Sequence, residues 1–181
     1  MYGGFTMTYK KQFVYALLTA ILAGIITYVT QAMAGWPIPA CEGNGLTYIC
    51  FVCWACYFVC GCNVKGAINW FLSMVAGVIA GILMFVITFA LMGVGMGYLI
   101  AVSIAVIIMV IPMMFYDRVN LNGAGVFVGT GLFFSLNAAG ALTTFTMADY
   151  LLVGGTELLY SIIGLAAGWM TIKFAGMVTK E

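Results

Sequence analysis

Six apolar stretches, Phe13–Met33, Leu46–Val64, Ala67–Leu91, Gly97–Phe115, Gly125–Thr143 and Leu158–Phe174, follow one another with only short connections between them. Each approaches the ~20 residues that a helix needs to cross a ~30 Å hydrocarbon layer. No other feature constrains the fold as strongly. A segment in lipid must satisfy its own backbone, which leaves helices or a closed barrel, and the alternating polar positions of barrel strands are missing. Only 6% of the residues are charged, against roughly 25% in soluble domains, too few to clothe a water-soluble body. The sequence therefore predicts an all-α integral membrane protein of six transmembrane helices, forming a single transmembrane domain over residues 1–181.

The basic residues are few enough to orient it. Lys10 and Lys11 precede the first stretch, Lys65 follows the second, Arg118 follows the fourth, and Lys173 and Lys180 end the chain. With the N-terminus in the cytoplasm all six fall on the cytoplasmic side, and Glu42, Asp149 and Glu157 fall outside. The positive-inside rule thus predicts a multi-pass protein with both termini in the cytoplasm. Lys10-Lys11, an apolar run and Ala32-Met33-Ala34 also resemble a signal peptide, but the run is long enough to span and is read as a retained helix.

The second stretch contains Cys50-Phe-Val-Cys-Trp-Ala-Cys-Tyr-Phe-Val-Cys60, the cysteine spacing of a bacterial iron–sulfur run. As a helix, it spreads Cys50, Cys53, Cys56 and Cys60 along one face over roughly 15 Å, too long a stripe to converge on one cluster. An irregular loop would bring them together, but in lipid it would strand backbone groups at several kcal/mol each. Gly61 also stands where the iron–sulfur motif has proline. The run reads as a helix seam of small, polarisable residues, with no metal and no cofactor. Cys41, in the Ala34–Gly45 connection, is the one cysteine expected to face the outside.

The chain also resembles itself. Phe51-Val-Cys-Trp-Ala-Cys-Tyr-Phe58 lies over Phe127-Val-Gly-Thr-Gly-Leu-Phe-Phe134, and the third and sixth stretches each hold G-x-x-x-G, as Gly77–Gly81 and Gly164–Gly168. The common order suggests a 3+3 duplication, with one repeat over about residues 13–91 and the other over about 97–177. Three being odd, the second copy enters the membrane inverted, as in transport folds whose pathway lies near a pseudo-two-fold axis. Gly77, Gly81, Gly164 and Gly168 read as helix-packing positions.

Tyr57-Phe58, Lys65-Gly66 and Gly125-Val-Phe127-Val-Gly129 resemble the bacterial inner-membrane family catalogued as domain of unknown function 1097. The likeness covers most of the chain, although Ala124 stands where that family commonly has proline and the cysteine-rich helix departs from it. The resemblance implies a six-helix protein of the cytoplasmic (inner) membrane and implies nothing about substrate.

Function must come from the residues. There is no histidine, no paired carboxylates in an apolar stretch and no nucleophile elbow, so no catalytic residue is proposed and the chain does not read as an enzyme. Gly93-Val-Gly-Met-Gly97 has neither the strand nor the lysine of a phosphate loop. The six stretches hold no acidic residue, and Lys173 lies within snorkelling reach of the cytoplasmic face. A neutral interior suits a small uncharged solute such as urea, another amide, ammonia or a gas. Helical phase makes Phe51, Trp54 and Phe58 of the second stretch and Phe127, Thr130, Phe134 and Asn137 of the fifth the pore-lining set, aromatic with few hydrogen-bonding stations. Two readings stand: a channel or facilitator for a small neutral solute, and a non-transporting membrane scaffold or assembly subunit that docks a partner through the four glycines. Besides lipid, the expected partner is a second copy of the chain, because six short helices make a thin bundle. No basic patch invites nucleic acid.

Overall fold

The computed structural model describes residues 8–33, 46–138, 140–141 and 145–180. Six α-helices account for nearly all of them: α1 (Tyr9–Ala32), α2 (Thr47–Val59), α3 (Val64–Gly93), α4 (Tyr98–Met113), α5 (Gly123–Ala138) and α6 (Met147–Lys180), with a 3-10 turn at Tyr116–Val119. The described residues form no strand. Three helices, α1, α3 and α6, are long and apolar enough to cross a membrane. The other three, of 13, 16 and 16 residues, are also apolar but shorter, α2 reaching only about 20 Å at 1.5 Å per residue.

Two expected boundaries are corrected. The second apolar stretch does not run to Val64, because the chain reverses at Cys60–Asn63 and Val64 begins α3. Gly61 and Cys62 take left-handed backbone conformations there, with φ of 96° and 56°. Asn63 then closes the turn by accepting the Gly66 N–H at 2.8 Å on its side-chain oxygen, which satisfies one of the amides that a helix start leaves unpaired. The sixth stretch begins at Met147 rather than Leu158, so Glu157 lies inside α6 and not in an outer connection. Cys41 and Glu42 lie outside the described residues, as does Thr143 at the end of the fifth stretch.

In the packed bundle, α6 lies along α2, α5 lies along α3, and α3 and α6 touch each other between these pairs. On the flanks, α4 covers another face of α3 and α1 leans on α6. The interior is filled by Ile49, Tyr57, Trp70, Met74, Phe85, Phe133, Leu136 and Tyr160. The outward faces of α1 and α4 carry Phe13, Ile21, Ile25, Leu99, Ile107 and Ile111 exposed. A surface so continuously apolar is costly in water and suits a hydrocarbon surround.

Candidate functional site

The two tightest helix pairs are built on the G-x-x-x-G segments. A methyl group placed on Gly77 of α3 would run into the Val126 carbonyl and approach the Gly129 Cα within 3.0 Å, and one on Gly81 would lie 2.8 Å from the Phe133 ring. On α6, a methyl at Gly164 would meet the Cys50 carbonyl and sit 2.8 Å from the Cys53 Cβ, and one at Gly168 would meet Tyr57. Missing side chains let the backbones close to this distance.

These contacts correspond. A shift of 76 residues carries Cys50, Cys53 and Tyr57 of α2 onto Val126, Gly129 and Phe133 of α5; a shift of 87 carries Gly77 and Gly81 onto Gly164 and Gly168. In each pair the contacts advance together along both helices, so α2 runs parallel to α6, and α5 to α3. Between the pairs the order reverses. Gly154 of α6 faces Val78 of α3, while the later residues Ile162, Leu165 and Trp169 share a cleft with the earlier Val64, Ala67 and Phe71. Helices α3 and α6 are therefore antiparallel.

The four glycines are all buried inside the chain, which corrects one expectation. Their faces are already occupied by α5 and α2, so they offer no docking surface to another protein.

The seven aromatic and polar residues named for a lining fall into two separate groups, since α2 packs chiefly on α6 and α5 on α3. Phe51, Trp54 and Phe58 line a cleft between α1 and α2 together with Thr19, Ala20 and Thr171. Phe51 stacks on Trp54 with ring centroids 5.7 Å apart, and the Trp54 indole N–H donates to Thr171 Oγ1 at 3.0 Å. On α5, Thr130 is buried and donates to the Gly77 carbonyl at 2.9 Å, which pins the helix to α3. Phe134 stacks on Phe85 of α3 at 4.8 Å. Phe127 is 42% exposed on the outer side of α5, and Asn137 is half-buried in its last turn.

Cys50, Cys53 and Cys56 are buried on α2, whereas Cys60 and Cys62, expected to prolong that helix, lie half-buried in the turn that follows it. The Cys50 thiol donates to the Tyr160 carbonyl at 3.3 Å, and Cys53 Sγ lies 3.8 Å from Met74 Sδ. Among the described residues no three of His, Cys, Asp and Glu are grouped as a metal site would require.

The residue that sequence reasoning misplaced is Glu157. It is 0% exposed, and neither carboxyl oxygen has a hydrogen-bond partner among the described residues. Cys53 lies within electrostatic reach of it, and the Ser161 hydroxyl, one turn along α6, donates to the Glu157 backbone carbonyl at 2.7 Å. The interior therefore holds an acid, contrary to the expected neutral lining. The residue 87 positions earlier, Trp70, is also fully buried with its indole N–H unpartnered. Near the end of α6, Lys173 Nζ sits 5.3 Å over the Trp169 ring beside a cleft shared with Tyr57, Cys62 and Asn63, an arrangement that lets a cation rest against an apolar surface.

No curated protein and no solved structure matches this chain. A family does, over residues 16–176: the chain belongs to the family described as protein of unknown function (DUF1097).

Proposed function

We propose that the protein is a channel or facilitator for a small solute that crosses in neutral form (urea or another amide, ammonia or a gas), built as a 3+3 inverted repeat in the cytoplasmic membrane. The observation that carries this reading is the correspondence of contacts: Gly77 on Val126 and Gly129 repeats as Gly164 on Cys50 and Cys53, with the third helix of each half antiparallel to the other. In inverted-repeat transport folds the working site lies where the halves meet at mid-membrane. The α1–α2 cleft supplies an aromatic wall of Phe51, Trp54 and Phe58, with the hydroxyls of Thr19 and Thr171, which suits a solute needing few hydrogen bonds. Transport needs no catalytic residue, and we assign none. The basic residues support a cytoplasmic N- and C-terminus, and the exposed apolar faces of α1 and α4 are available to lipid or to a second copy of the chain.

The test is solute flux in proteoliposomes. Urea and acetamide should equilibrate faster through the folded protein than through protein-free vesicles. Phe51→Ala and Phe58→Ala, which widen the α1–α2 cleft, should raise that rate. Flux equal to that of empty vesicles, from protein that elutes as a folded species, would sink the transport reading.

A further inference from the structure

Every other acid among the described residues lies at or near the end of a helix. Glu157 lies ten residues into α6, held between Val78 at Gly154 and Cys50 at Gly164, at the level where α3 and α6 face each other. No cation among the described residues pairs with it. The nearest basic residue along α6 is Lys173, about 24 Å away at 1.5 Å per residue. From Trp70 to Phe85, α3 carries no titratable side chain, and α5 carries none at all. From α1, Leu22, Ile26 and Thr30 are the buried residues. The titratable groups facing this region are the thiols of Cys50 and Cys53, Tyr48 at the start of α2, and Tyr150 and Tyr160 on α6 itself. Thiols and phenols carry no positive charge in either protonation state, so none can compensate a carboxylate. Among the described residues Glu157 is fully enclosed, at 0% exposure, and it lines none of the clefts described above.

An acid in such a place is expensive to keep, and intramembrane acids mark ion and proton pathways. An unpaired carboxylate buried away from water costs many kcal/mol, whereas the neutral acid costs what an unpaired polar group does, on the order of 2–7 kcal/mol. The one ligand that removes the charge and needs no cavity is a proton. We propose that Glu157 is a proton-binding site at the centre of the bundle: protonated while occluded as seen here, deprotonated when a shift of α6 against α2 and α3 opens it to water. Solute movement is thereby linked to proton movement. The linkage rests on the transport reading above; the proton site itself does not. The glycine-lined contacts of α6 favour such a shift, because smooth backbone surfaces slide with few side chains to disengage. Toward the start of α6, Tyr150 lies two turns from Glu157 on the same face and next to Asp149, giving the proton a hydroxyl between the buried acid and the helix end.

The experiment has two arms on the full chain. In the first, protein in lipid is treated at neutral pH with dicyclohexylcarbodiimide, an apolar reagent that adds to a protonated carboxyl without a leaving group, and the adduct is mapped by peptide mass spectrometry. An adduct on Glu157 that builds up toward one per chain over successive openings, absent in Glu157→Gln and weaker with a water-soluble carbodiimide, is the expected result; a Glu157 still unmodified in folded wild type after prolonged exposure overturns the site. In the second arm, proteoliposomes with a pH difference of one unit take up urea or acetamide. Coupling of one proton per solute drives accumulation of up to about tenfold, since one unit corresponds to 1.36 kcal/mol, and Glu157→Gln should equilibrate the solute without accumulating it. Equal behaviour of wild type and variant overturns the coupling. If folded wild type moves neither solute, the transport reading falls and the linkage with it, while the labelling arm alone upholds or overturns the proton site. Should Glu157→Gln fail to fold, Glu157→Asp, which keeps the acid on a shorter stem, must retain the adduct.

Discussion

Gly164 of α6 and Cys50 of α2, 114 residues apart in the chain, approach so closely that a single methyl group on the glycine would collide with the cysteine carbonyl. The same relationship holds between Gly77 and Val126. Neither pair involves a hydrogen bond between side chains; the contact is backbone against backbone, and it sets the spacing of both long helix pairs.

Gly164→Ala and Gly77→Ala should therefore each destabilise the fold, by about 1–3 kcal/mol or more as for other overpacked sites. Gly24→Ala and Gly155→Ala are the controls, because a methyl at either meets nothing within 4 Å, and they should be neutral or slightly stabilising through helix propensity, about 1 kcal/mol at most. Thermal unfolding in detergent, followed by tryptophan fluorescence, distinguishes the two classes.

The hydrogen bond from Trp54 to Thr171 joins α2 to α6. Thr171→Val keeps the shape and strands the indole N–H, at a cost of about 1–3 kcal/mol. Adding Trp54→Phe to that variant should cost less than the sum of the two single changes. A double-mutant cycle yielding no coupling would mean that the bond contributes nothing beyond packing.

At the α2–α3 reversal, Asn63→Ala removes the cap on Gly66 and should cost about 1 kcal/mol. Cys62→Gly, at φ of 56°, relieves a left-handed residue and should gain up to about 1 kcal/mol. Opposite signs in the same unfolding assay are the expected outcome.

Thiol labelling reads both burial and sidedness. A polar maleimide should modify Cys60 and Cys62, which are half-buried, and leave Cys50 and Cys53 unmodified, each being wholly buried. In sealed vesicles Cys62 should react only from the cytoplasmic face. Reaction from the outer face would reverse the proposed topology.

By itself the sequence determined that the chain is helical, that it divides into six apolar helices at nearly these positions, and which family it joins. Those properties are local: a run of apolar residues must close its own backbone hydrogen bonds, and Gly61 or Asn63 ends or starts a helix whatever lies across from it. It also made α2 and α5 resemble each other, Phe51–Phe58 against Phe127–Phe134. Which faces meet was decided only by the tertiary structure. A helix that is apolar all round carries no stripe to name its partner, so the likeness between α2 and α5 does not say what either touches; α2 packs on the glycines of α6, and α5 on those of α3. Glu157 shows the same division most sharply. Read along the chain, one acid beside an apolar run marks the run's start; in the bundle, α6 begins ten residues before it, nearly three turns at 3.6 residues per turn, because the face that carries Tyr150, Val153 and Glu157 is buried against the other helices, and burial there outweighs the local preference of one acid for water.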